Sequence, residues 1–138
     1  MAFQVARPAT AFSLDGRRSK QKRPRVDDQA HLKWIKTLPC IVTGAYGVDP
    51  AHIRFADNRY RKPAVGGGEK PDDRWTVPLC RSEHDRQHSM NEQAYWASVG
   101  IDPVMVAMLL HAASGDDEEG EAIIRQFRVN VFHKGEAS

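Results

Sequence analysis

Residues 79–88 read Leu79-Cys80-Arg81-Ser82-Glu83-His84-Asp85-Arg86-Gln87-His88. On a helix, positions four apart share a face, so His84 and His88 can present two imidazoles to one metal ion. A third imidazole stands upstream in Ala51-His52-Ile53-Arg54, at the end of a short apolar run. Any one of these histidines is weak evidence of chemistry. The three in the order strand, long polar loop, strand and helix suggest a compact metal site with a general base.

Working outward, Trp75-Thr76-Val77-Pro78-Leu79 reads as the strand that feeds a helix from about Arg81. Residues 48–55 read as a strand in which Pro50 is tolerable only at an edge or bulge. Its hairpin partner is expected in Cys40-Ile41-Val42, across a Thr43-Gly44-Ala45-Tyr46-Gly47 turn. Residues 56–74 form a long polar loop, and loops beyond ~12–15 residues in a small domain are usually functional or disordered. A helix is expected from Asp27-Asp28 through Lys36, with acids in its first turn and lysines in its last. Leu32 and Ile35 would point inward, Trp34 toward a flank, and Pro39 ends it. Further helices are expected over 91–98, 103–113 and 121–128. Asp102 caps the second, Pro103 opens it, and Val104, Ala107, Met108 and His111 share its apolar stripe. Asp116-Asp117-Glu118-Glu119 reads as an exposed acidic loop. The fold class is α+β, with one domain over 27–138. Its core lies at about 38–90, and residues 91–138 form a helical extension.

Hydrolysis of a phosphodiester needs an activated water and compensation for charge on the phosphoryl and leaving oxygens. A histidine neutral near pH 7 suits the first task, and a divalent ion the second. His52 on a strand and His84/His88 on a helix divide those tasks. The loop between them carries Arg54, Arg59, Arg61, Lys62, Lys70 and Arg74, suited to a sugar–phosphate backbone rather than to base edges. No Gly-Lys-Ser/Thr follows Gly66-Gly67-Gly68, which excludes a P-loop. Trp34, Trp75 and Trp96 read as core or half-core residues.

The run from Leu38-Pro39-Cys40 through Ala51-His52-Ile53-Arg54 and Lys70-Pro71-Asp72-Asp73-Arg74-Trp75-Thr76-Val77-Pro78-Leu79-Cys80 to His84 and His88 resembles the HNH, or ββα-metal, nucleases. Within them it is similar to the phage and prophage group related to the recombination-enhancement nuclease of temperate phages. The likeness covers roughly residues 38–90 and implies a small ββα-metal core. It makes His52 the general base, His84 the closing histidine of the motif, and His88 the additional ligand seen in colicin-type DNases. Asp72 or Asp73 falls in the region of the middle asparagine that orders the loop positioning the base; of the two, Asp73 is assigned to catalysis. Two departures stand out. Ala51 occupies the place where many members carry a ligand, so metal would rest on His84 and His88, completed by water, phosphate or Asp49. In the zinc knuckle that often braces the fold, Thr43 and Glu83 replace the second cysteine of each pair, and a Cys₄ site is impossible. Cys40 and Cys80 are instead expected as two buried thiols packed together under the hairpin.

The activity this implies is a DNA endonuclease dependent on Mg²⁺, Mn²⁺ or Zn²⁺, with low sequence specificity, acting in phage or prophage recombination or DNA processing. Its partners would be DNA and a recombination protein. The competing readings are a non-catalytic nucleic-acid-binding protein with a degenerate HNH fold, and a structural metal-binding component of a phage complex.

The formal net charge of +2 hides a polarity along the chain. Residues 1–25 carry seven Lys/Arg against one acid, and six of these cations (Arg17, Arg18, Lys20, Lys22, Arg23 and Arg25) fall within nine residues. Residues 1–26 are expected to be a disordered basic tail whose partner is a polyanion, here nucleic acid; the bland alternative is a solvated tail without a ligand. No apolar run approaches the ~20 residues of a bilayer span, so no membrane partner is expected. The N-terminus lacks a secretion signal's apolar segment, and two cysteines are too few for a disulfide scaffold. The expected location is the cytoplasm of a host cell carrying a phage or prophage.

Overall fold

The computed structural model describes residues 28–65 and 71–137, without the side chains of 129–137. The basic tail, the triple glycine and Lys70 lie outside the described residues. The chain is α+β: helix α1 (Gln29–Ile35), strand β1 (Val48–His52), a 3₁₀ turn (Asn58–Tyr60), strand β2 (Thr76–Cys80), and helices α2 (Arg81–Ser89), α3 (Glu92–Val99), α4 (Pro103–Ala112) and α5 (Asp117–Ala137). Among the described residues no single helix is long and apolar enough to cross a membrane.

β1 and β2 pair antiparallel, with Val48 opposite Cys80, Pro50 opposite Pro78 and His52 opposite Thr76. The expected partner of β1 is therefore corrected. Residues 41–43 form a turn closed by Cys40 N–H to Ala45 O (2.8 Å) and Gly44 N–H to Cys40 O (2.9 Å). Gly44 holds this turn at φ 79°, a conformation L side chains rarely adopt. Of the turn's backbone groups, the Ile41 N–H alone is hydrogen-bonded to the backbone of β2, at Pro78 O (3.0 Å). Since the Pro78 carbonyl points away from β1, Pro50 and Pro78 form a non-hydrogen-bonded pair, and neither missing N–H breaks the ladder.

α1 packs on both strands and α4 on β2, while α2 packs on both strands and on α3. Ala51, Ile53, Val77 and Leu79 are fully buried with Ile35, Ile41, Tyr95, Val104, Leu110 and Ile124 in a single core. Asp28 caps α1 by accepting the His31 N–H at 3.1 Å. Trp34 is buried rather than at a flank, and Leu32 is only half-buried. The reason is α5: Trp34 Nε1–H reaches Asp117 Oδ1 at 2.8 Å, and its ring lies against Gly120.

Caps place the later helices where the sequence puts them. Asn91 Oδ1 accepts Ala94 N–H at 2.9 Å, and Asp102 Oδ1 accepts Met105 N–H at 3.3 Å. Met108 and His111 are half-buried, and Val106 and Leu110 join the stripe instead. The acidic run is not a loop. Asp116 accepts Glu119 N–H at 3.1 Å, and α5 begins at Asp117, its first-turn acids matching the helix dipole.

Candidate functional site

The site is built on β1, the turn before β2, and α2. β1 ends at His52, whose Nε2 lies 2.9 Å from Asp73 Oδ1. Asp73 is fully buried, and its other oxygen accepts the Asp28 N–H at 2.7 Å. A hydrogen bond from Nε2–H to this carboxylate puts the proton of a neutral ring on Nε2 and the lone pair on Nδ1. The carboxylate is held in turn by the start of α1, so the His52 ring is fixed by two elements at once. Asp72 is also buried, and its carbonyl accepts the Trp75 N–H at 3.1 Å, closing the turn into β2.

α2 starts directly at the end of β2, which carries its side chains over β1. His84 Nδ1 lies 3.2 Å from Asp49 Oδ2 on β1, and His84 Nε2 lies 3.1 Å from His88 Nε2. With Asp49 accepting from Nδ1–H, His84 presents its Nε2 lone pair toward His88. Two imidazole nitrogens at this separation are spaced as neighbouring ligands of one small divalent ion are. Asp49 is at the other end of the His84 ring and is also bound by Arg81 Nη2 at 2.5 Å. Its place is thus behind the histidine pair rather than beside it. Among the described residues no three His, Cys, Asp or Glu side chains are grouped to hold an ion. The residues fit a metal to the extent of two nitrogens, with the remaining positions left to water or substrate.

Of the cations expected to meet a phosphate backbone, Arg17, Arg18, Lys20, Lys22, Arg23 and Arg25 lie outside the described residues. Lys62 is corrected: it is 2% exposed, and its ammonium donates to Phe55 O at 2.6 Å. Burial pushes its pKa below the ordinary lysine value. Arg59 is exposed but bound to Asp57 at 2.6 Å and Asp102 at 3.2 Å, and the Asp57 hydrogen bond raises its pKa further. Arg61 is exposed at φ 56°, and Arg74 is exposed with its guanidinium over Trp75 at 4.5 Å. Arg54 is half-buried, its N–H donating to Glu92 Oε1 at 3.1 Å.

Two supports had no signal in the sequence. Glu92 joins the end of β1 to α2 through Arg54 N–H and Gln87 Nε2–H (2.9 Å). Tyr95 OH, deep under α2, donates to Glu83 Oε1 at 2.7 Å. Burial, aided by that bond, raises the Tyr95 pKa far above the ordinary phenol value. Both bonds depend on how α3 folds back, which no local spacing encodes.

The family model described as "Protein of unknown function (DUF968)" matches residues 17–115, more than two thirds of the 138-residue chain. The chain belongs to this family. The DUF968 match takes in both histidine groups, the two strands and α2. A relative, the uncharacterized protein YdfU of Escherichia coli (strain K12), is 32% identical over 68 residues. That stretch is 49% of this chain and 18% of the length of YdfU. No solved structure matches this DUF968 protein.

Proposed function

We propose that this protein is a divalent-metal-dependent endonuclease that hydrolyses DNA phosphodiester bonds with little sequence specificity. The phage or prophage recombination setting follows from its HNH resemblance. One observation carries the reading: a proton-handling pair, His52–Asp73, and a converging Nε2 pair, His84/His88, stand on one β1–β2–α2 unit. His52 accepts a proton at Nδ1 from the attacking water. The buried Asp73 carboxylate then stabilises the imidazolium that forms and keeps the ring in place. His84 and His88 would hold the ion, with Asp49 fixing the tautomer of His84. When bound, such an ion supplies positive charge against the charge growing on the phosphoryl and leaving oxygens. Arg61 and Arg74 are the exposed loop cations suited to the backbone phosphates.

The test is supercoiled plasmid incubated with the protein and Mg²⁺, Mn²⁺ or Zn²⁺, against a chelator control. Cleavage should appear with metal and fall about 10²–10⁴-fold in His52→Ala, the usual loss of a general base. His52→Ala should still bind DNA. Cleavage at the wild-type rate in His52→Ala would refute the assignment. A second reading, a nucleic-acid-binding protein without catalysis, is favoured by the lack of a third ligand among the described residues. It requires DNA binding with no cleavage under any of the three metals.

A further inference from the structure

Two sulfurs lie outside the histidine site. Cys40 is fully buried and Cys80, the residue from which α2 departs, is half-exposed; both are free thiols. The expectation that both are buried thus holds only for Cys40. Cys40 Sγ accepts the Val42 and Thr43 N–H groups, each at 3.4 Å. Cys80 Sγ accepts the Thr43 hydroxyl at 3.7 Å and lies 3.5 Å from Ser82 Oγ. The Glu83 N–H donates to it too. Thr43 therefore touches both sulfurs, one through its N–H and the other through its hydroxyl, which gathers the two thiols around one residue.

Thiols packed merely as small hydrophobes need no such donors. Hydrogen bonds gathered on sulfur favour the thiolate. Burial acts to raise the Cys80 thiol, but the bonds from Ser82, Glu83, Thr43 and Cys40 outweigh it and leave the group below its ordinary value. Accessible, thiolate-favouring sulfur beside a shielded second sulfur is the arrangement of redox-responsive pairs.

We propose that Cys40 and Cys80 are an oxidisable dithiol, a modification site at which a peroxide closes a disulfide between the turn at residues 41–43 and the head of α2. The Cys80 thiolate attacks a peroxide oxygen: an S–O bond forms, the O–O bond breaks and hydroxide leaves, giving a sulfenic acid. The Cys40 sulfur then attacks the Cys80 sulfur: the S–S bond forms, the S–O bond breaks, and hydroxide leaves as water with the Cys40 proton. Two electrons pass from the two sulfurs to hydrogen peroxide, which ends as two waters. The new bond closes a loop containing all of β1 and constrains the unfolded chain, so the oxidised protein melts higher.

The test uses the full chain, reduced, then treated with hydrogen peroxide, quenched, alkylated in denaturant so that the buried Cys40 is reached, and digested. The expected result is a Cys40–Cys80 linked peptide, loss of both alkylatable thiols, and a raised melting temperature that dithiothreitol reverses. Cys40→Ser should trap a dimedone-reactive sulfenic acid on Cys80, whereas Cys80→Ser should leave Cys40 alkylatable. Thiols that stay fully alkylatable after peroxide, or link only between chains, overturn the proposal. So do thiols that alkylate in the untreated protein only once a chelator is added, since a metal then holds them.

Discussion

Asp49 shows at the residue scale how position changes role. Its carboxylate meets Nδ1 of His84 while the nitrogen that converges on His88 is Nε2. Outer-shell carboxylates of this kind typically alter metal affinity by about 10–100-fold. Asp49→Asn should therefore weaken Mn²⁺ or Zn²⁺ binding within that range, and His84→Ala should abolish it, both measured by calorimetric titration. Equal losses in the two variants would make Asp49 a ligand. The sequence could place His52, His84 and His88 because their spacing is local to one strand and one helix. It could not turn the Asp49 carboxylate to one end of a ring rather than the other. Nor could it show Lys62 as buried: a lysine among loop cations looks solvated until the fold brings its ammonium over the Phe55 and Trp75 rings, 6.0 and 5.8 Å from their centroids.

At the scale of elements, the legible parts are those with chemical punctuation. Asn91, Asp102 and Pro103 mark helix starts by capping, and the structure begins its helices there. The partner of β1 was not legible, because the short apolar run at 40–42 is nearer in sequence than β2, and burial on one core decides the pairing. The start of α5 carried a usable signal in its acids, which match a helix N-terminus as well as a loop. Its seating on α1 depends on Gly120. Alanine in a helix is normally favoured over glycine by about 1 kcal/mol. Here a Cβ would lie 2.6 Å from Trp34 Cζ2 and 3.1 Å from Leu38 Cδ2, both in buried residues. Overpacking of this kind costs about 1–3 kcal/mol, so the clash wins. Gly120→Ala should lower the thermal midpoint by several degrees, and calorimetry that finds it raised would show that α5 can shift away from α1.

For the whole molecule, pH and salt give separate readouts. His31 is 1% exposed, hydrogen-bonded through Nδ1 to Ser114 Oγ at 2.7 Å, with the His111 ring 5.0 Å away. Burial and then the charge of His111 lower its pKa, outweighing Asp28 and Asp73. A histidine depressed on folding binds fewer protons native than unfolded, so its stability is complete above the ordinary value of 6.5 and is lost as pH falls below it. Melting temperature should drop between about pH 7 and pH 5, and His31→Gln should flatten that slope. An unchanged slope would assign the acid sensitivity elsewhere. In the proposed nuclease, the six cations of residues 17–25 would contribute to duplex binding by releasing counterions, a contribution that salt opposes. Removing residues 1–26 should reduce the log–log salt dependence of duplex binding by at most about five, at about 0.9 per phosphate, with turnover at saturating DNA retained. A truncated protein with the full salt dependence would make the tail a passive extension. The facing prolines of the ribbon reach beyond the single chain. Pro50 and Pro78 remove the outward donor at the centre of each edge, and Ile41 occupies the outward acceptor of Pro78. A strand from another molecule finds no continuous row of groups to zip onto, so this short, two-edged ribbon is protected against polymerising through its backbone.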